Sequence, residues 1–160
     1  EYTFDYYADF LIKNDMLLIV AGGGDTNYVN KIIKYLDNHA ARKYIKIIGV
    51  VSDSEKKYLL ENAKFFTLLS KAEGLPQSVL EAMHFGLPVI ASAECNLSDA
   101  INGKVVLCDN DNHTLQILGE LVKDEMKYEI FSKNAKHFAR QNFDWDAISK
   151  KYIANIDEHI

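Results

Sequence analysis

Two glutamates, Glu73 and Glu81, flank a segment that begins with Gly74, Leu75 and Pro76. Pro76 suits the start of a helix, and the free N–H groups at a helix N-terminus, reinforced by the helix dipole, bind anions such as a diphosphate. Glu81 would lie about 7.5 Å along that helix, at 1.5 Å per residue, while Glu73 stays in the preceding loop. Two hydrogen-bond acceptors on either side of an anion site suit a nucleotide sugar, which carries hydroxyl groups at both ends and phosphates between them.

Five short apolar runs predict the strands that position this segment: residues 16–21, 45–50, 65–69, 88–92 and 104–108. Runs of this length, rich in Ile and Val, are typical of strands covered on both faces. Helices are predicted before and between them, at residues 2–13, 26–40, 53–63, 76–85 and 97–102. Strands that alternate with helices predict an α/β fold with a doubly wound parallel sheet and helices on both of its faces.

The pattern from residue 111 to residue 159 changes to helix alone. Apolar side chains recur there at three- and four-residue intervals, as expected for a helical C-terminal tail packed on the sheet. Breaks are expected near Glu125 and near residues 142–144. Earlier in the chain, Asp53 or Ser54 is expected to cap the second of the helices between strands, and Gly86 to end the third.

Three loops follow strands at the edge where open α/β sheets bind their ligands. The first holds Gly22, Gly23 and Gly24, the second holds Val51, and the third is residues 70–76. The glycines suit either a tight turn that needs positive φ or the close approach of a ligand. They do not form the G-x-G-x-x-G pattern, which disfavours a dinucleotide-dependent dehydrogenase.

Composition excludes several classes of protein. A length of 160 residues with 48% hydrophobic residues predicts one globular domain. The net charge of −5 offers no basic face for nucleic acid or a membrane surface. No apolar run reaches the roughly 18 residues that span a bilayer. Cys95 and Cys108 are expected to be free thiols, which fits a reducing, cytoplasmic location.

Asp109, Asn110 and Asp111 admit two interpretations. A D-x-D pair can hold a metal ion, but an aspartate between a strand and a helix is more often an N-cap. The five histidines are scattered without the spacing of metal ligands. No metal is therefore expected.

Residues 73–92, EGLPQSVLEAMHFGLPVIAS, closely resemble the E-x7-E region of retaining glycosyltransferases with two Rossmann-like domains, the GT-B fold, especially family 4 (group 1). Residues 17–24, 47–53, 63–70 and 143–145 follow the order of that family's carboxy-terminal donor domain. The resemblance covers nearly the whole chain. It implies that residues 1–160 form one Rossmann-like, nucleotide-sugar-binding domain, which lacks the amino-terminal acceptor domain and is inactive alone.

The resemblance also implies roles for individual residues. Glu73 would be catalytic, contacting the donor sugar and stabilising the reacting sugar, while Glu81 would accept hydrogen bonds from the ribose hydroxyls. Backbone N–H groups of Gln77, Ser78 and Val79 would hold the diphosphate. The remaining donor-binding candidates are Val51 at the nucleobase, Lys56 at the base or ribose, Gly74, Leu75, Gly22, Gly23 and Gly24.

The implied reaction is transfer of a hexosyl group from a nucleotide-diphosphate sugar to a glycan or lipid-linked glycan, with retention and without metal or other cofactor. A basic Arg and Lys pair that neutralises the leaving diphosphate would lie upstream of Glu1. The full-length protein could work in polysaccharide biosynthesis at the inner face of a membrane.

Two alternatives stay open. One is a nucleotide-sugar epimerase on the same fold, which would bind the same donor without transferring it. The other is a flavodoxin-like or receiver-like signalling module. A receiver needs an acidic cluster after its first strand and a phosphoacceptor aspartate after its third, and Asp25 and Ser70 do not supply them.

Overall fold

The structure, a computed structural model, describes residues 1–95, 97, 106–108 and 113–144. Its elements are, in chain order, α1 (Tyr2–Asn14), β1 (Leu18–Ala21), α2 (Thr26–Leu36), β2 (Ile45–Gly49), α3 (Asp53–Asn62), β3 (Phe66–Leu68), α4 (Gln77–Phe85), β4 (Val89–Ala91), β5 (Val106–Cys108), α5 (Thr114–Lys123) and α6 (Glu125–Phe143). Single 3₁₀ turns form at Arg42–Tyr44 and Ala93–Cys95. The chain divides into two compact units, residues 1–58 and 59–160.

All strand pairing among the described residues is parallel. In the first unit β1 pairs with β2, with Leu18 opposite Ile45. In the second unit β4 pairs with β3 on one side and with β5 on the other, so that Val89 lies opposite both Phe66 and Val106. Parallel neighbours joined through helices confirm the predicted α/β class.

The first unit buries one side of its helices. In α1 the buried residues recur at three- and four-residue spacing, and they are Phe4, Tyr7, Phe10 and Leu11. The two strands alternate in burial, because Ile45 is buried whereas Ile19 and Ile48 are 42% and 43% exposed. The expectation that every strand is covered on both faces is therefore wrong for β1 and β2.

The second unit has the more continuous core. All three residues of β4 are buried, as predicted for a strand covered on both faces. From α4, the side chains of Val79, Ala82 and Met83 are fully buried. Helix α6 packs against α4, and it presents the small side chains of Ala135 and Ala139 to the buried core. Burying a side chain the size of Met83 contributes about 1.5–3 kcal/mol to stability.

Helix α3 begins differently from the prediction. The Ser52 hydroxyl accepts a hydrogen bond from the Glu55 N–H at 3.3 Å, and the Glu55 carboxylate accepts from the Ser52 N–H at 2.8 Å. This reciprocal arrangement is a capping box. Ser52, rather than Asp53 or Ser54, therefore caps the helix. The acceptor role of Glu55 lowers the pKa of its carboxyl.

The other helix ends follow the expected residues more closely. Gly86 ends α4 in the left-handed region at φ +83°, and Asp124 separates α5 from α6, where its carboxylate accepts from the Lys127 N–H. Helix α2 ends at Leu36 rather than near residue 40, because Asp37 and the residues after it form a turn. The helix expected at 97–102 lies almost entirely outside the described residues. None of the described helices is long and apolar enough to cross a bilayer.

Candidate functional site

Glu73 lies in the loop between β3 and α4, in the second unit. Its neighbours Lys71, Ala72 and Gly74 are exposed, and Leu75 is 44% exposed. Glu73 itself is partly buried, and its N–H donates to the Glu94 carbonyl at 3.1 Å. The loop thus has few packing contacts, and hydrogen bonds determine its position.

The first turn of α4 offers two backbone donors. The Pro76 carbonyl accepts from the Val79 N–H at 3.1 Å and from the Leu80 N–H at 3.3 Å. The N–H groups of Gln77 and Ser78, both exposed residues, have no acceptor among the described parts of the chain. Of the three amides expected to hold a diphosphate, Val79 therefore already has a partner, whereas the other two lie without a described acceptor at the positive end of the helix dipole.

Glu81 lies in the next turn of α4 and is half-buried. It is followed directly by Ala82 and Met83, which are fully buried against β3 and β4. The backbone that carries Glu81 is consequently held by core packing, in contrast to the loop that carries Glu73. The second unit thus places two carboxylates on either side of the two open amides along the chain.

A hydrogen bond that the sequence did not predict connects the start of the Glu73 loop to the residue after β4. The Ser92 hydroxyl donates to the Ser70 carbonyl at 2.5 Å. The two residues are 22 positions apart, so no local pattern indicates the bond. The available signal was the position of Ser92 itself, a polar residue directly after a fully buried strand.

The remaining candidates lie in the first unit. Gly22 has φ +139°, and its N–H donates to the carbonyl of Gly49 at 2.8 Å. A Cβ atom added to Gly23 would meet Val50 Cγ2 at 2.9 Å, which is too close for an alanine without adjustment. The turn interpretation of these glycines is therefore confirmed at Gly22, and at Gly23 a larger residue would require the exposed Val50 side chain to shift. Gly24 has ordinary clearance.

Val51 and Lys56 belong to the same unit as the glycines. Val51 follows β2 and is half-buried. The Lys56 ammonium lies 3.7 Å from the Asp53 carboxylate, with 42% of the lysine side chain exposed. Exposed pairs of this kind contribute only about 0–1 kcal/mol to stability.

Comparisons with known proteins agree with the motif. A profile of the family described as "Glycosyl transferases group 1" matches residues 4–138. The chain belongs to this family.

Two relatives and one solved structure illustrate the match. An N,N'-diacetylbacillosaminyl-diphospho-undecaprenol alpha-1,3-N-acetylgalactosaminyltransferase of Campylobacter jejuni is 28% identical over 97% of this chain and 40% of its own length. An uncharacterized glycosyltransferase of Methanocaldococcus jannaschii is 31% identical over 88% of this chain and 36% of its own length. HepE of Anabaena, solved with UDP-glucose, superposes with a TM-score of 0.73 at 19% identity, covering 96% of this chain and 44% of that chain.

This group 1 glycosyltransferase chain therefore spans about two fifths of the length of those relatives. Its Rossmann-like α/β fold, as in glycosyltransferases of the GT-B type, is confirmed by the superposition. Within the described residues no three His, Cys, Asp or Glu side chains are grouped so that they could hold a metal ion. The Asp109 to Asp111 segment lies outside those residues.

Proposed function

We propose that this group 1 glycosyltransferase chain is the donor-binding part of a retaining enzyme and that it binds a nucleotide-diphosphate sugar. The observation that carries the proposal is the start of α4, where the open N–H groups of Gln77 and Ser78 stand between two glutamates in the chain. Donors at a helix N-terminus bind phosphate oxygens, and carboxylates bind sugar hydroxyls.

Each group then has a task in transfer. The diphosphate lies on the Gln77 and Ser78 amides, where the partial positive charge of the helix stabilises the leaving group. Glu81 accepts hydrogen bonds from the ribose hydroxyls. Glu73 and the adjoining Gly74 and Leu75 backbone meet the sugar, and the Glu73 carboxylate stabilises positive charge as the glycosidic bond breaks.

Retention follows if the acceptor attacks the face from which the diphosphate departs, with the diphosphate taking the acceptor proton. No protein base is then required in this part of the enzyme, and its contribution is orientation and charge stabilisation. We further propose that the reaction needs no metal, with an upstream Arg and Lys completing the neutralisation of the leaving group.

The resemblance to the donor domain of this family also supplies the proposed contacts to the nucleoside. Val51 meets the nucleobase, and Lys56 reaches the base or ribose. Gly22, Gly23 and Gly24 form a turn without side chains that lets the donor approach the backbone.

The acceptor belongs to the part of the protein beyond this chain. We propose a hexosyl transfer to a glycan or lipid-linked glycan, as in polysaccharide biosynthesis, at the cytoplasmic face of a membrane. The name of the Campylobacter jejuni relative, which describes transfer to a diphospho-undecaprenol-linked sugar, supports that class of acceptor. The 160 residues alone would bind donor weakly and transfer nothing.

Glutamine variants of the two glutamates in the full-length protein test this assignment. Glu81→Gln should weaken nucleoside diphosphate binding by about tenfold or more, because a charged hydrogen bond is worth about 1.5–3 kcal/mol. Glu73→Gln should lower the rate of transfer roughly 100-fold while nucleoside diphosphate affinity changes less than about twofold.

Glu129→Gln is the matched control, since that carboxylate is exposed on α6 and pairs across the surface with Lys133 at 3.3 Å. It should leave binding and transfer unchanged. Wild-type activity in both the Glu73 and Glu81 variants would show that the site is wrongly assigned. Conversion of the donor sugar without any acceptor would favour an epimerase instead.

A further inference from the structure

Ser92 is a buried polar residue directly after β4, with 5% of its surface exposed. Its N–H donates to the Leu68 carbonyl at 3.2 Å, and its hydroxyl donates to the Ser70 carbonyl at 2.5 Å. Both acceptors belong to the segment that leads from β3 to Glu73. Buried hydroxyls are kept where they have partners, because an unpaired one costs free energy. Ser92 therefore ties the start of the Glu73 loop to the end of the central strand.

The 3₁₀ turn that follows Ser92 holds the same loop at a second point. The turn is closed by the Cys95 N–H, which donates to the Ser92 carbonyl at 3.1 Å. From this turn the Glu94 carbonyl accepts the Glu73 N–H at 3.1 Å. The buried Cys95 thiol donates to the Leu68 carbonyl at 3.4 Å. The Ser92 hydroxyl thus holds the loop directly, and the Ser92 carbonyl closes the turn whose Glu94 carbonyl accepts from Glu73.

We propose that Ser92 is a positioning residue for Glu73, acting through the hydrogen bond from its hydroxyl to the Ser70 carbonyl without touching the donor. The proposal rests on the proposed function for the role of Glu73. It follows from the exposure of residues 71, 72, 74 and 75, which leaves hydrogen bonds rather than packing to hold the loop. Displacing a reacting group by about 1 Å can cost 100-fold in rate, so such bonds matter for catalysis.

The two glutamates should respond differently to loss of the Ser92 hydroxyl. Glu81 is carried by α4, whose backbone is held by the buried Val79 and Met83. The position of Glu73, by contrast, depends on the loop that carries it. Loosening the loop should therefore weaken the contacts at the sugar end of the donor and leave the nucleotide end unchanged.

The test compares Ser92→Ala with Ser92→Thr, which keeps the hydroxyl, in the full-length protein. Ser132→Ala is the matched control, because Ser132 is a partly buried serine on α6 that lies beside Gly86, at the end of α4 opposite the loop. Hydrogen–deuterium exchange measures how firmly the backbone of the loop is held. In Ser92→Ala the amides of residues 70–74 should exchange about five- to tenfold faster, the loss expected for one net hydrogen bond. In Ser92→Thr and Ser132→Ala the same amides should exchange at the rate of the unmodified protein.

Titration supplies the second readout, with UDP-, GDP- and ADP-glucose and the matching nucleoside diphosphates as probes. Ser92→Ala should weaken the nucleotide sugar about fivefold and the diphosphate less than twofold, and Ser92→Thr should restore both. Unchanged exchange in the loop, or an equal loss for both ligands, would overturn the proposal.

The exchange measurement separates this proposal from the proposed function. If the unmodified protein binds no nucleotide sugar, the proposed function fails, while faster exchange in Ser92→Ala still shows that Ser92 holds the loop. If Ser92→Ala does not fold, Ser92→Cys keeps a weaker donor of similar size, and the same faster exchange is expected. Unmodified exchange in Ser92→Cys would overturn the proposal.

Discussion

At the scale of single residues, Asp5 joins the elements of the first unit. Its carboxylate accepts from the Tyr35 hydroxyl at 2.5 Å and lies 3.3 Å from His39 Nε2. His39 Nδ1 in turn accepts the Ala41 N–H at 3.2 Å, so the proton of the neutral imidazole is on Nε2 and faces Asp5. The hydrogen bond from Tyr35 lowers the pKa of Asp5 below its usual value of 3.8. The same bond raises the pKa of Tyr35 above its usual value of 10.0.

These two shifts predict how stability depends on pH. The contribution of Asp5 is present above pH 3.8 and is lost as pH falls through its lower folded-state pKa. The contribution of Tyr35 is present below pH 10.0 and is lost as pH rises through its higher folded-state pKa. Melting temperatures measured from about pH 2 to pH 11 should therefore show a smaller decrease at both ends in Tyr35→Phe than in the unmodified chain.

Asp5→Asn should likewise flatten the acid end of that profile. Tyr28→Phe is the control, because Tyr28 is 59% exposed, and it should reproduce the unmodified profile. Parallel profiles for Tyr35→Phe and the unmodified chain would contradict the role given to this bond.

Individual site residues could be predicted only where neighbours in the sequence carry the signal. Glu73 and Glu81 stand in one continuous motif with a helix start between them, so their spacing was informative. The partners of Ser92 and Asp5 are 22 and 30 residues away, and only the fold brings them together. The capping of α3 by Ser52 is a different case, because Ser52 and Glu55 are only three positions apart and their S-x-x-E pattern could have indicated the cap.

At the scale of elements, the junction between α4 and α6 depends on Gly86. This glycine ends α4 at φ +83°, as its place in the sequence predicts. The structure adds a second constraint, since a Cβ atom there would meet Ser132 Oγ at 2.7 Å and the Lys136 side chain at 3.3 Å. Gly86 thus serves both the left-handed turn and the close packing of α6.

Replacing Gly86 by alanine should lower the free energy of unfolding by about 2 kcal/mol, because an alanine is strained in this conformation and also crowds α6. Urea unfolding of the Gly86→Ala variant and of the unmodified chain measures this difference. Gly119→Ala is the matched control, since Gly119 lies inside α5, where an added Cβ would meet no described atom within 4 Å beyond its own helix backbone and chain neighbours. That change should raise stability by about 0.5–1 kcal/mol. Equal effects of the two substitutions would contradict the account of Gly86.

Most elements could be predicted because each has its own periodicity and end signals. The strand runs and the break at Asp124 are local properties of the sequence. The pairing of the strands, β1 with β2 and β4 with β3 and β5, could not be predicted, because apolar runs do not specify which strands are neighbours. The exposed positions Ile19 and Ile48 show the same limit, since an apolar run favours a covered strand but does not show which elements cover it.

At the scale of the whole molecule, the net charge and the length bear on how phosphate is bound and on which parts of the enzyme this chain contains. A net charge of −5 means that any phosphate must be bound by a few local groups rather than a basic face. The start of α4 offers such groups in its two open amides. Because the chain spans 36–40% of its relatives, the proposed function assigns the acceptor and the basic pair to other parts of the protein.

The most direct test of the central proposal is calorimetric titration of the full-length protein with a panel of UDP-, GDP- and ADP-sugars. We predict that at least one of them binds at a single site and that Glu81→Gln weakens this binding by about tenfold or more. Failure of every nucleotide sugar to bind a folded sample, even at millimolar concentration, would contradict the proposal.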